Sequence, residues 1–425
     1  MSELGAPLQL RCGATLPNRV AKAAMTEAMA GIHAIPSEAL HTLYRRWGEG
    51  GAGMLITGNV MVDRRYLERL GNVVFDERTP LLAVRKWANA TKVGGAKGVV
   101  QLSHPGRQCN RFVHPKPVAP SAGQRVKLLG FFTKPRELTA SEIQEVIERF
   151  AGAAQLAERA GFDGVQVHAA HGYLLSQFLS PLTNQRDDEW GGDLERRAKM
   201  VRACVEAVKD ATGEKFIVGV KLNSSDFQRG GFDHEDSLRV AKWLDEDGVD
   251  FIEVSGGNYE STAFLGADGS GTLSQGTRDR EAYFKVYAKE IADAVDAPIM
   301  LTGGLRTARV MREILDEGAA DIIGLGRPFV TDPEIAQRLL GDDEAAAPSE
   351  APPMPPSIFK PMLSVGEAAW YGELMKAMGR GEQPNFGAGW LGPTMAYLNQ
   401  EVFASLKRRL TTDIAGAPAP MEVHS

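Results

Sequence analysis

The chain has 425 residues, with 48 lysines and arginines against 54 aspartates and glutamates, which gives a formal net charge of −6. This acidic balance, in a sequence without a run of basic residues, argues against a nucleic-acid or anionic-membrane surface. Its length and its 43% share of hydrophobic residues are typical of one large globular domain with an appendage. We therefore expect a small molecule as the partner.

Three cysteines, far apart in the chain and odd in number, favour neither a disulfide framework nor a zinc or iron–sulfur cluster. The N-terminus, MSELGAPLQLRCG, lacks the basic and apolar regions of a signal peptide. No apolar stretch approaches the roughly 18 residues of a membrane span. The sequence predicts a cytoplasmic protein without a membrane segment, and it leaves open whether the chain forms a homo-oligomer.

The opening segment, up to Arg19, has turn residues between short apolar pieces, which predicts a capping hairpin. After it, apolar runs of strand length alternate with stretches in which apolar residues recur every three or four positions. The predicted strands are Val20–Met25, Gly53–Asn59, Gly98–His104, Gly164–His168, Phe216–Asn223, Asp250–Gly256, Pro298–Gly304 and Asp321–Gly326. The predicted helices between them include Ser141–Ala160, Glu195–Thr212, Asp236–Asp247, Arg280–Val295 and Ala308–Glu317.

Eight alternations of strand and helix predict an α/β fold, a (β/α)8 TIM barrel with an N-terminal capping hairpin and a C-terminal helical extension. We assign residues 1–341 to the barrel, 342–356 to a proline- and alanine-rich linker and 357–425 to the extension. The extension holds two predicted helices, Gly366–Gly379 and Met395–Leu410. The long segments Arg107–Leu138 and Gly257–Gly276 are expected to shape a pocket. Residues 387–392, GAGWLG, match G-x-G-x-x-G, but no predicted strand precedes them, so we assign them to a loop.

The predicted fourth strand ends in polar residues, in the sequence GFDGVQVHAAHGY from Gly161 to Tyr173. Catalytic groups of a TIM barrel are expected where its strands end, and here His168, His171 and Tyr173 follow one another. The two histidines could also be a metal pair, but no third ligand stands nearby as in HExxH, so we predict no metal site. Tyr173 taken alone is more typical of half-buried packing. His104, after the third strand, is interpreted as structural.

Glycines end the predicted seventh and eighth strands, Gly303 with Gly304 and Gly326 beside Arg327. Bare backbone N–H groups and a guanidinium can both reach phosphate oxygens, although glycines also end strands simply to permit tight turns. Their occurrence on strands seven and eight together favours a phosphate site. Amides and hydroxyls on strands one to three, with a cation on strand five, suit the polar edge of a flat heterocycle. FMN fits this outline.

The chain resembles the Old Yellow Enzyme family of FMN-dependent oxidoreductases. The resemblance rests on NRVAKAAMT, GMLITGN, VVQLSHPGRQ, GFDGVQVHAAHGYLLSQFLSPLTNQRDDEWGGDLERR, VGVKLN, TGG and GAADIIGLGRPFVTDP, in this order. It covers roughly Leu8 to Leu340. It implies a barrel that binds FMN and takes hydride from NAD(P)H.

The resemblance also implies roles for individual residues. His168 and His171 would donate hydrogen bonds to a substrate carbonyl oxygen, and Tyr173 would donate the proton. The residues implied to contact the cofactor are Ala23, Ala24, Met25 and Thr26 along the flavin, Asn59 and Gln101 at its pyrimidine edge, Lys221 by N1 and O2, and Gly303, Gly304, Gly326 and Arg327 at the phosphate. Two positions depart from the common pattern: Lys221 stands where arginine is usual, and Asn59 where alanine or glycine is frequent.

The leading hypothesis is an FMN-dependent oxidoreductase that uses NAD(P)H to reduce activated C=C bonds of α,β-unsaturated carbonyl-type substrates. Hydride would come from flavin N5 and the proton from Tyr173. A first alternative is an FMN-dependent dehydrogenase or demethylase of an amine or cyclic substrate. A second is an aldolase-type barrel with Lys221 as a Schiff-base lysine. A third is a flavin-binding or scaffold protein without turnover.

Overall fold

Eight parallel strands form the centre of the molecule. The structure is a computed structural model that describes residues 4–123, 125–128, 130–226, 228–255, 285–347, 360–387 and 389–404. The strands are β1 Val20–Lys22, β2 Met54–Ile56, β3 Lys97–Ser103, β4 Gly164–Ala169, β5 Ile217–Asn223, β6 Phe251–Ser255, β7 Ile299–Thr302 and β8 Ile322–Leu325. Each pairs with the next, and β8 returns to pair with β1, so the sheet is closed. The predicted eight-stranded barrel is confirmed.

Helices surround the barrel and extend beyond it. They are α1 Glu38–Glu49, α2 Leu81–Thr91, α3 Ala140–Ala160, α4 Leu174–Leu179, α5 Leu194–Ala211, α6 His234–Glu246, the described part of α7 at residues 285–292, α8 Ala308–Asp316, α9 Pro328–Thr331, α10 Ile335–Gly341, α11 Lys360–Gly379 and α12 Leu391–Asn399. Within the described ranges, none of them combines the length and the hydrophobicity that a membrane crossing requires.

Local sequence signals explain where α3 begins and ends. The Thr139 side chain accepts the Glu142 backbone N–H at 3.2 Å, and the Glu142 carboxylate accepts that of Thr139 at 2.9 Å. This reciprocal capping box satisfies two amides that the first helical turn leaves unpaired. Gly161 ends the helix with φ of +92°, a conformation that glycine adopts at little cost. The chain then enters β4, which contains His168 and leads into the turn with His171.

The N-terminal hairpin closes the amino-terminal end of the barrel, as predicted. Strands Leu8–Gln9 and Thr15–Leu16 pair antiparallel, and Leu10 and Leu16 are buried against the barrel interior. Their neighbours there include inward-facing residues of several strands: Met54, Val99, Ile217, Phe251 and Met300. The Cys12 backbone N–H donates to Asp250 at 2.7 Å and holds the turn in place. This end of the barrel is therefore an apolar plug.

The C-terminal helices pack on the barrel near the carboxyl ends of its strands. Asn110, in the loop after β3, donates from Nδ2 to Glu401 Oε2 at 2.6 Å, and Arg69, in the loop after β2, donates to the Tyr397 hydroxyl at 3.0 Å.

The assignment of residues 387–392 entirely to a loop is wrong for its last two residues, because α12 already begins at Leu391. Pro393 lies in the first turn of α12, where the missing N–H of proline costs no helical hydrogen bond.

The long loop after β3 is mostly irregular, with a 3-10 turn at Gly106–Gln108 and a two-residue parallel ladder between Val118–Ala119 and Arg136–Glu137. Parts of this loop and of other predicted segments lie outside the described residues. These parts are residues 124 and 129 of the long loop, Gly256, Gly257–Gly276, residues 280–284 of the seventh helix, residues 348–356 of the linker, and residues 357–359, 388 and 405–425 of the extension.

We predict that His104 makes the protein less stable in acid. The His104 ring is buried, its Nδ1 accepts the Gly106 N–H at 3.1 Å, and burial lowers its pKa from 6.5 to about 4. Between these values the unfolded chain binds a proton that the native chain does not, so the free energy of unfolding falls as the pH falls, by up to about 3 kcal/mol. Between pH 6.5 and 4, the urea midpoint of His104→Gln should fall less than that of the parent protein.

The exposed His33 supplies the control, because His33→Asn should follow the parent curve. An equal fall of the urea midpoint in His104→Gln and the parent would contradict the assignment.

We also predict that docking of the segment Gln400–Ala404 weakens as the pH rises. Burial raises the pKa of Glu401 to about 7, with Arg69 and Asn110 opposing and Glu68 reinforcing the shift. A raised carboxyl pKa gives stability that is present at pH 4.5 and is lost as the pH rises through 7. Proteolysis of this segment should therefore be faster at pH 8 than at pH 5.5. Glu401→Gln should remove most of that difference, and a difference as large as in the parent would refute the role of Glu401.

Candidate active site

A layer of buried polar side chains lies inside the barrel, between the apolar plug and the carboxyl ends of the strands. The sheet register sets it, because Gln101 is opposite Gln166, His168 is opposite Lys221, and Lys221 is opposite Glu253. These are two adjacent rows, two residues apart on β4, and both face the barrel interior because alternate residues of a strand point to the same face. The register therefore brings predicted residues of strands 3, 4 and 5 together.

Hydrogen bonds join four side chains of this layer into a chain. Gln101 Nε2 donates to Gln166 Oε1 at 2.8 Å, and Gln166 Nε2 donates to Glu253 Oε2 at 2.7 Å. Lys221 Nζ donates to Glu253 Oε1 at 2.7 Å, and both charges are buried. Our sequence reasoning missed Gln166 and Glu253. Their signal was available, because a glutamate between Ile252 and Val254, and a glutamine between Val165 and Val167, are unusual in a parallel sheet buried on both faces.

The end of β4 brings the two histidines and the tyrosine together. The His168 ring centroid lies 5.1 Å from that of His171 and 4.9 Å from that of Tyr173. Tyr173 is the N-cap residue of α4, which turns the chain sharply away from the strand. The backbone N–H of His171 donates to Asn223 Oδ1 at 3.1 Å, which ties the turn to the end of β5.

Both histidines are neutral near pH 7. Burial, with a smaller contribution from the positive charge of Lys221, holds the pKa of each well below 6.5. His168 Nδ1 accepts the Ala170 N–H at 3.2 Å, so the proton of the neutral ring is on Nε2. His171 Nε2 lies 2.7 Å from Ser255 Oγ. Neutral imidazoles of this kind can donate an N–H to an oxygen without giving up a proton.

The ends of β1 and β2 meet around a buried carboxylate. The Thr26 hydroxyl and the Asn59 amide each donate to Glu68 Oε2 at 3.1 Å. Glu68 is a further residue that the sequence did not single out, since it lies nine positions beyond Asn59 in a stretch without strand character. Ala23 and Ala24 pack at the barrel interior, and the Ala23 N–H donates to Leu325 O at 2.8 Å across the barrel seam.

A buried cluster behind this edge fixes its backbone. Lys22 Nζ donates to Ile56 O at 2.8 Å and lies 3.4 Å from Glu27 Oε1, which also accepts the Gly58 N–H at 3.2 Å. Tyr44 of α1 donates its hydroxyl to Glu27. Burial lowers the pKa of Lys22 to about 8, and the neighbouring carboxylate opposes that effect. The cluster holds residues 23–27 against Gly58 and thereby defines one side of the barrel mouth.

The ends of β7 and β8 present glycine backbone. Gly303 has φ of +145° and Gly304 +65°, and a Cβ placed on Gly303 would meet no atom within 4 Å. A Cβ on Gly326 would lie 3.6 Å from the Met25 sulfur, so the first and eighth strand ends are adjacent. Arg327 forms an ion pair with Glu367 of α11, and its side chain is partly exposed. The predicted phosphate arginine thus has a carboxylate partner from the C-terminal extension.

Comparison with known proteins agrees with this geometry. The sequence profile of the NADH:flavin oxidoreductase / NADH oxidase family matches residues 3–343. The NADH-dependent flavin oxidoreductase iliE of Hypocrea jecorina (strain QM6a) is 37% identical over 387 residues, which are 85% of this chain and 95% of that protein.

Solved structures show the same barrel. The Old Yellow Enzyme homologue of Zymomonas mobilis is similar with a TM-score of 0.68 and 27% identity, over 80% of this chain and 92% of that one. Morphinone reductase in complex with tetrahydroNAD is similar with a TM-score of 0.65 and 27% identity, over 79% and 90% of the two chains. The chain therefore belongs to the Old Yellow Enzyme family and is an FMN-dependent NAD(P)H oxidoreductase built on a TIM barrel.

Proposed function

We propose that the enzyme reduces the activated C=C bond of an α,β-unsaturated carbonyl-type substrate at the expense of NAD(P)H. The observation that carries the proposal is the cluster at the end of β4, where the neutral His168 ring lies 5.1 Å from the neutral His171 ring and 4.9 Å from the Tyr173 ring, between centroids. Two N–H donors and one phenol are the groups that such a reduction requires of the protein.

The residues of the barrel mouth fit FMN. The backbone of Gly303, which has no atom near the position of a Cβ, together with Gly304, Gly326 and Arg327, suits a phosphate. Asn59 and Gln101 supply amides for the pyrimidine edge, Thr26 a hydroxyl and Lys221 a cation, and residues 23–25 supply small and apolar surface. When bound, FMN supplies the hydride chemistry that no amino-acid side chain provides.

His168 and His171 are proposed to hold the substrate carbonyl oxygen. Addition of hydride at the β-carbon moves negative charge to that oxygen, and two aimed N–H donors stabilise it by about 3 kcal/mol or more. Because burial keeps both rings neutral, they donate hydrogen bonds throughout and do not exchange charge with the oxygen. The contact of His171 with Ser255 and Asn223 keeps its ring and backbone in one place.

Tyr173 is proposed to protonate the α-carbon. A phenol has an ordinary pKa of about 10, which is suited to donation to an enolate near neutral pH. The ring is buried and its position at the N-cap of α4 is set by the turn after His171. The amine or ring dehydrogenase alternative remains an outcome of the test below. The Schiff-base alternative is not carried forward, because Lys221 is paired with Glu253 in an FMN-dependent family.

The substrate class can be tested with the FMN-loaded enzyme under anaerobic conditions. We expect NADH or NADPH to be oxidised in step with enones or nitroalkenes, with a saturated product. Amines and saturated cyclic substrates should not reduce the flavin. Bleaching of the flavin by an amine, without any turnover of alkenes, would favour the dehydrogenase instead.

Tyr173→Phe should lower the rate of alkene reduction by about 100-fold or more, since a positioned general acid contributes at least that factor. Reduction of the flavin by NAD(P)H should stay normal, and stopped-flow absorbance separates the two half-reactions. Tyr287→Phe is the matched control, because Tyr287 stacks on His234 between α6 and α7, away from the β4 cluster. Parental alkene reduction in Tyr173→Phe would show that another group donates the proton.

A further inference from the structure

We propose that Glu253 is a positioning residue that sets both the net charge and the amide orientation at the flavin's pyrimidine edge. It would act through Lys221 and Gln101, and the inference rests on the proposed place of the flavin beside these two residues. Glu253 is fully buried, and its two carboxylate oxygens are each 2.7 Å from a donor, Lys221 Nζ on one side and Gln166 Nε2 on the other.

The carboxylate dictates the orientation of both glutamines. A carboxylate can only accept here, so Gln166 must turn its NH₂ group to Glu253 and its carbonyl oxygen to Gln101. Gln101 must then turn its own NH₂ group to Gln166. The carbonyl oxygen of Gln101 is left as the acceptor at the edge of the layer. An acceptor at that place is what the imide N–H of a flavin requires.

The same carboxylate neutralises the cation at the barrel centre. Lys221 and Glu253 carry opposite charges, and both are withdrawn from solvent, so the pair presents little net charge to its surroundings. Reduction by NAD(P)H adds two electrons and one proton to FMN, and the reduced ring then carries one negative charge. A neutralised lysine stabilises that anion less than an unpaired one does. Glu253 therefore holds the flavin at a lower potential than Lys221 alone would.

The test is the midpoint potential of the FMN-loaded protein, together with its affinity for sulfite, an anion that adds to oxidised flavin. Glu253→Gln keeps the size of the side chain and removes its charge. It should shift the reduced-to-oxidised equilibrium at least about tenfold towards the reduced form, which is about 30 mV for two electrons. Sulfite should bind more tightly by a similar factor. Lys221→Met should shift both quantities in the opposite direction.

The double variant Lys221→Met/Glu253→Gln isolates the pair. Because the substitutions remove opposite charges, its potential should return towards that of the parent, and this prediction also stands if the single Glu253 variant does not fold. Glu206→Gln removes an exposed charge on α5 and should leave the potential unchanged. Gln166→Met keeps the ion pair but breaks the link to Gln101, so it should weaken FMN binding about tenfold with little change in potential.

The outcomes separate the inference from the proposed function. Suppose that Lys221→Met lowers the midpoint potential but Glu253→Gln leaves it equal to or below that of the parent. That result overturns the role of Glu253 and leaves the proposed place of the flavin intact. If neither charge affects the potential of the bound flavin, the place of the flavin beside Lys221 is wrong as well. A double variant as low as Lys221→Met would likewise refute the inference. A midpoint potential of the double variant near the parental value, with tighter sulfite binding in Glu253→Gln, would support the inference.

Discussion

Closure of the parallel sheet is the constraint on which the rest of the structure depends. The pairing of β8 with β1 and of β4 with β3 gives every barrel strand a neighbour on each side, so the eight barrel strands have no open edge. Closure also brings all eight carboxyl ends to one rim, although the residues involved are up to about 300 positions apart in the chain. The short helices and turns that follow the strands then direct side chains inward from that rim.

The barrel interior divides into an apolar and a polar part, each completed by a different means. At the amino-terminal end, Leu10 and Leu16 of the hairpin fill the space that the strand residues leave. Higher in the barrel, Lys221 and Glu253 are buried as a pair, and Gln166 satisfies the second carboxylate oxygen. An unpaired charge at that depth would be very costly, so each member of the layer constrains the others. The mutual pairing therefore makes the polar layer rigid.

The C-terminal extension reaches the same rim from outside. Glu367 pairs with Arg327 at the end of β8, while Glu401 and Tyr397 contact the loops after β2 and β3. Thr26 and Asn59 share Glu68, and Glu68 lies beside Arg69, which contacts Tyr397. The extension and the residues proposed to face the cofactor are thus connected through a short series of polar contacts.

The sequence by itself determined the alternation of strands and helices, the capping hairpin and the polar residues at the strand ends. These follow from local patterns: hydrophobic periodicity, turn residues, and a histidine pair and a tyrosine placed just after a buried run. His168, His171 and Tyr173 were identifiable because all three lie within six consecutive residues that run from the end of β4 to the start of α4. The sequence predicted this last helix from Met395, whereas α12 begins at Leu391 and accommodates Pro393 in its first turn.

Only the tertiary structure decided which distant residues share a layer and which charges are paired. Glu253 lies 32 positions beyond Lys221, and Glu367 lies 40 beyond Arg327, so no local pattern joins either pair. Their partnership depends on sheet register and on the docking of α11, which long-range packing sets. The polar residue types at the strand ends could therefore be predicted from the sequence. The net charge and the orientation of those groups depend on neighbours that only the closed barrel brings within hydrogen-bonding distance.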